Sequence, residues 1–141
     1  MRKHYVFILF IIGLATQSSA QVKQEEKENN QRAEIYTVSM IQLISTPEKY
    51  HEKEILVTGF LNLKFEGCAI YLHQEDYKYS IYKNGIWVDF FNCTIKEELS
   101  KANQKYVMIR GVFDMNLAGH FGLWSGTIKD IISVTPIKSR E

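Results

Sequence analysis

Apolar and polar positions alternate most regularly along Ile55–Phe65, ILVTGFLNLKF. Ile55, Val57, Leu61, Leu63 and Phe65 fall on one side of a period-two strand, and Thr58, Asn62 and Lys64 on the other. Gly59 interrupts the apolar side. A strand this long rarely stays flat, and an interior glycine commonly marks a bulge or tight bend, by which one strand serves two sheets of a small barrel. The stretch therefore reads as the bent first strand of a barrel.

Ordered structure is expected from Ile35. Ser39 and Gln42 have the spacing of a capping box, Met40, Leu43 and Ile44 share a helical face behind it, and Pro47 ends the run. This short helix is expected to plug one end of the barrel. After the long strand, Glu66-Gly67 reverses the chain and Ala69–His73 reads as a second strand. Gln74–Gly85 reads as a polar, tyrosine-rich connection, and Ile86–Phe91, IWVDFF, as a third strand. Thr94 and Glu97 suggest a second capping box opening a helix to about Asn103, with Ile95, Leu99 and Ala102 on its inner face. Tyr106–Phe113 is a fourth strand, interrupted by Gly111. Leu123–Val134 is a fifth, whose phase slips at Lys129-Asp130 and so predicts a bulge.

The chain is thus expected to be mainly β with two short helices: a five-stranded, OB-fold-like Greek-key barrel, one helix between its third and fourth strands and an extra N-terminal helix. Another small β-barrel, or a helix packed on a curled antiparallel sheet, are the alternatives.

The ends change the picture. Arg2 and Lys3, the apolar run Val6–Leu14 and Ser18-Ser19-Ala20 have the layout of a secretory signal peptide cut after Ala20. The apolar run is short for a membrane span, and no other stretch is long and apolar enough for one. Residues 21–34 contain Val22 as their one large aliphatic before the domain, and read as a flexible leader. The domain is expected over 35–137, with 138–141 as a tail. A periplasmic or secreted location follows. Losing Arg2 and Lys3 leaves fifteen basic against sixteen acidic residues, a net charge of −1. With no basic cluster, nucleic-acid binding is expected to be weak and non-specific at most.

Ser39–Leu43, Pro47–Tyr50 and Lys53–Phe60 resemble the opening of small exported bacterial OB-fold-like proteins. Gly119–Gly122, Gly126-Thr127-Ile128 and Ile131 are similar to their closing strand. The resemblance spans most of residues 38–134. It implies a fold and a compartment, and carries over no activity or site.

Cys68 enters the second expected strand and Cys93 leaves the third. In an oxidising compartment a disulfide is the expectation; it would close about 26 residues and contribute about 3 kcal/mol. Separate buried thiols are the alternative, because period-two counting puts Cys68 with Ile70 and Leu72 but Cys93 with Trp87 and Phe91. Asn92-Cys93-Thr94 spells a glycosylation acceptor, a tripeptide that arises often by chance, and Thr94 is already assigned to the helix cap. His73, Glu75 and Asp76 offer metal-ligand types at a spacing that matches no ligand motif, so they read as solvated loop residues, and neither metal nor cofactor is expected.

With Ile70, Leu72, Ile86, Val88 and Phe90 facing the core, Tyr71, His73, Trp87 and Asp89 point outward beside Asn62 and Lys64. His120 stands in a nearby loop. These seven residues form the candidate ligand face, because OB-folds commonly bind oligonucleotides and oligosaccharides there. Alternatively, the Gln74–Gly85 loop covers Trp87 and Tyr71 as a second small core. The sequence contains no nucleophile elbow or phosphate-cradling glycine loop. Arg110 is the one arginine inside the domain, so catalysis is not expected. The reading is an exported binding module for a small molecule, glycan or peptide, with a protein-interaction or inhibitor (immunity-type) domain as its rival. An enzyme would need His73 or His120 beside a carboxylate in a pocket.

Overall fold

The computed structural model describes residues 34–139. The expected signal peptide, most of the leader and the last two residues lie outside that range. Strands β1 (Tyr36–Val38), β2 (Lys53–Asn62), β3 (Ala69–Tyr71), β4 (Gly85–Val88), β5 (Lys105–Asp114) and β6 (Thr127–Pro136) alternate with helices α1 (Met40–Ser45), α2 (Gln74–Lys78) and α3 (Lys96–Lys101). Strands β2 to β6 close into a five-stranded barrel in the order β2-β3-β4-β6-β5. All neighbours are antiparallel except β4 and β6, which run parallel. With α3 between the third and fourth barrel strands, this is an OB-fold-like Greek-key barrel.

The long strand does serve two partners on one edge. Its first half pairs in parallel with β1 at Ile55–Val57, and its second half pairs with β3 at Phe60–Asn62. β5 follows its other edge from Lys53 to Leu61. Gly59 lies at the changeover, where a Cβ would sit 2.5 Å from the Tyr71 carbonyl oxygen, so only glycine lets β3 approach. Ile55, Val57 and Leu61 fill the barrel with Ile70, Ile86, Val88, Val107, Ile109, Phe113 and Ile128. Phe65, assigned to the same side, lies beyond the strand's end and is 81% exposed.

Helix α1 is capped as expected. Ser39 Oγ accepts the Gln42 N–H at 3.2 Å, Gln42 Oε1 accepts the Ser39 N–H at 2.9 Å, and Met40 and Leu43 are buried against the barrel. The second capping box is not formed. Cys93 is buried and Ile95 packs on the core; α3 begins at Lys96, and its Ile95 cap has no side-chain hydrogen bond. The phase slip in the last strand is a bulge: Arg110 pairs with Ser133 but Val112 with Lys129, and Asp130 takes a φ of 47°.

Two further expectations are corrected. Among the described residues there are three short α-helices rather than two, because α2 folds inside the connection read as irregular. Cys68 and Cys93 are both free thiols, not a disulfide. The Cys68 carbonyl accepts the Val88 N–H, which sets Cys68 opposite the end of β4, and its Sγ donates to the Lys64 carbonyl at 3.4 Å. Cys93 lies beyond the following turn and is buried in the main core. Burial pushes the Cys68 thiol above its ordinary pKa, which makes it a poor nucleophile.

Candidate functional site

Alternation along β3 and β4 sends Ile70, Ile86 and Val88 inward and Ala69, Tyr71 and Trp87 to the outer face, as the sequence implies. That outer face is covered. Tyr71 is 1% exposed and Trp87 half-buried. With Ala69 and Trp124 they form a second core, against which Tyr77 and Tyr82 pack. Tyr71 and Trp87 are therefore packing residues, and the alternative stated from the sequence is the one the structure adopts.

Two segments supply the cover. The first is α2 with the turn Tyr82–Asn84. The Asp76 carboxylate, almost fully buried, accepts the His73 N–H at 2.9 Å and the Asn84 side-chain amide at 2.8 Å, which fastens the turn to the start of the helix. Tyr77 then lies 5.9 Å from Tyr71 and 6.1 Å from Phe60, ring centre to ring centre. The second segment is the loop from Met115 to Gly126. Its Trp124 packs edge-on to Trp87 at 4.8 Å and against Tyr82 at 5.2 Å, and donates its indole N–H to the Tyr71 hydroxyl at 3.2 Å. Lys83 joins the two segments, its ammonium donating to the carbonyls of Gly122 and Trp124, both at 3.2 Å.

Between these segments and the β2–β3 loop runs a groove of about 520 Å³. Tyr71 and Trp124 belong to its lining as buried residues, Tyr77 and Tyr82 as half-buried ones, and Lys64, Phe65, Glu66, Lys78 and Ser80 as exposed ones. Its volume lies within the usual range for ligand pockets. Burial pushes the Tyr71 phenol above its ordinary pKa, so it stays neutral. Having accepted the Trp124 N–H, it keeps its own proton to donate.

Of the seven sequence candidates, the groove brings together Asn62, Lys64 and Tyr71. Asn62 is buried, its amide donating to the Gly67 carbonyl at 3.3 Å while its oxygen accepts from Gln104. The other four stand elsewhere. His73 precedes α2, Trp87 lies in the second core, and Asp89 accepts the Asn92 amide at 2.9 and 3.0 Å. His120 Nε2 lies 3.8 Å from Glu66 Oε2, an exposed contact between the two loops at the groove's edge. Tyr77, Tyr82 and Trp124 were missed as site residues; the signal for the two tyrosines was the clustering of tyrosines in Gln74–Gly85, and Trp124 had no local signal.

A second polar cluster joins residues far apart in sequence: donor atoms of His51, Glu52 and Asp114 lie within 4.8 Å of one another. These residue types could ligate a metal, but the Lys129 ammonium already bridges Glu52 at 2.8 Å and Asp114 at 2.9 Å. His51 Nδ1 accepts the Met115 N–H at 3.3 Å, which places the start of the 115–126 loop. The cluster is thus an anchor. The hydrogen bond from Lys129 holds the Asp114 carboxyl below its ordinary pKa, and the Glu52 and Asp114 carboxylates raise that of Lys129. Because the Asp114 value is depressed on folding, its contribution is present above the ordinary aspartate pKa of about 3.9 and is lost as pH falls through the lower folded value. Asp114→Asn should therefore melt below wild type at neutral pH, and the gap should close in acid below about pH 4. A gap that persists unchanged into acid would disprove the assignment.

Among the described residues no helix is long and apolar enough to cross a membrane. No family model, curated protein or solved structure matches this chain.

Proposed function

We propose that the protein is an exported binding module whose ligand lies in the groove between the β2–β3 loop, α2 and the 115–126 loop. The observation that carries this reading is the construction of the groove: a floor sealed by Tyr71 and Trp124 with exposed lysines and half-buried tyrosines above it. Loops at these two positions are the ones OB-folds commonly use for ligands. Packed aromatics with a few convergent polar groups are the usual make-up of a ligand site.

A protein partner is the second reading. It is favoured by Phe65 and Phe121, 81% and 84% exposed on the two loops that Glu66 and His120 bring together. Aromatic anchors of this kind dominate many interfaces.

The test is recovery of the protein from its own cell envelope, with mass spectrometry of whatever co-purifies. A small molecule or glycan retained by wild type and by Phe121→Asp, but lost from Tyr82→Ala, supports the groove. A protein lost from Phe121→Asp and retained by Tyr82→Ala would replace it with the second reading.

A further inference from the structure

We infer that the groove takes an acidic saccharide, a short chain of sugars bearing carboxylates. This rests on the binding reading and names its ligand class. The groove is rich in donors: the ammonium groups of Lys64 and Lys78, the Ser80 hydroxyl and the hydroxyls of Tyr77 and Tyr82. Glu66 is its one carboxylate, and that group lies 3.8 Å from His120. Lys78 has a 3.7 Å contact to Glu75 on its own helix, between two exposed side chains, an arrangement that is weak in water and open to exchange for a ligand carboxylate. Such a lining suits a ligand that offers many acceptor oxygens and negative charge.

The aromatics narrow the class. Tyr77 and Tyr82 each join a half-buried ring to a hydroxyl, the pairing that fits a sugar, which has an apolar C–H face ringed by polar oxygens. A nucleic acid would need a basic track to follow its phosphates. Here two lysines stand against one glutamate, and Arg110 is engaged by Glu54 on β2. A peptide adding as a strand would need a free sheet edge, but β3 beneath the groove is paired along its whole length with β2 on one side and β4 on the other.

The experiment titrates the full chain with tetramers of galacturonate, glucuronate and mannuronate, with neutral cellotetraose and with oligo(dT), read by tryptophan fluorescence and calorimetry. At least one uronate should bind, about tenfold or more tighter than cellotetraose, and weaken as salt rises to about 0.5 M. Lys64→Ala, a change at an exposed position, should cost that uronate about tenfold in affinity with no change in melting temperature, and Tyr82→Ala should abolish its binding. Failure of every uronate to bind overturns the inference, as does equal binding of cellotetraose or preference for oligo(dT). If cellotetraose or oligo(dT) binds and Tyr82→Ala removes that binding, the groove remains a ligand site and its ligand class alone was wrong. Saccharide binding indifferent to both substitutions would remove the groove reading as well.

Discussion

Replacing Trp124 by alanine should lower the free energy of unfolding by about 3–5 kcal/mol, the usual cost of truncating a buried aromatic. Trp124 is 2% exposed although it belongs to a loop. It meets Trp87 from β4, Tyr82 from the 82–84 turn and the Tyr71 hydroxyl from β3. These neighbours come from separate strands and a turn, so the space it leaves should close only in part. The Tyr71 hydroxyl would lose its partner beneath the groove as well, so Trp124→Ala should also fail to bind any ligand the wild type binds. Chemical denaturation at neutral pH measures the stability loss. A change within about 0.5 kcal/mol, the range of ordinary surface substitutions, would mean that the second core contributes no packing.

Gly119→Ala should be costly too, at least about 2 kcal/mol, for two separate reasons. Gly119 has φ 63° and ψ −159°, a region essentially closed to residues with a side chain. A Cβ there would also lie 2.5 Å from the Trp87 ring. The loop would have to lift from Trp87, carrying Trp124 and the groove wall with it. Gly122→Ala is the control: its φ of 69° is also left-handed, but a Cβ meets nothing within 4 Å. It should carry the cost of a positive φ without the collision, so a thermal melt should show the larger loss in Gly119→Ala. Equal losses would show that neither the ψ of Gly119 nor its contact with Trp87 adds to the cost.

How much of this was legible depended on whether the signal was local. The barrel strands announce themselves by alternation, and even the bulge at Lys129-Asp130 shows as a slip in phase. The Ser39 cap is legible because both its partners lie within one turn. The faces of Tyr71 and Trp87 were also legible, since a period of two fixes sides. What covers a face is a different matter. Tyr77 sits in a five-residue helix, too short to show a helical period, and Trp124 arrives from a loop some fifty residues along the chain. Strand β1, three residues long, is below the length at which alternation means anything. The thiols illustrate the same limit: proximity of two strand ends was readable, but not that the turn after β4 sends Cys93 into the core. For the site, a tyrosine-rich stretch was visible, whereas the convergence of three loops on one groove depends on packing between segments far apart in sequence.

The parallel seam between β4 and β6 joins only Trp87 with Thr127 and Val88 with Ile128, the shortest junction in the closed barrel. The second core lies directly across it, with Trp87 entering from the β4 side and Trp124 from just before β6. The aromatic pair therefore acts as a rivet across the seam, and its Trp124 is at once a floor residue of the groove. Occupancy and closure are then thermodynamically linked: a ligand that binds only the closed form stabilises it by mass action. The Trp87 and Asp89 amides, which bond to Gly126 and Ile128 across this seam, would exchange with solvent more slowly when the groove is filled, so the barrel itself would report on its ligand.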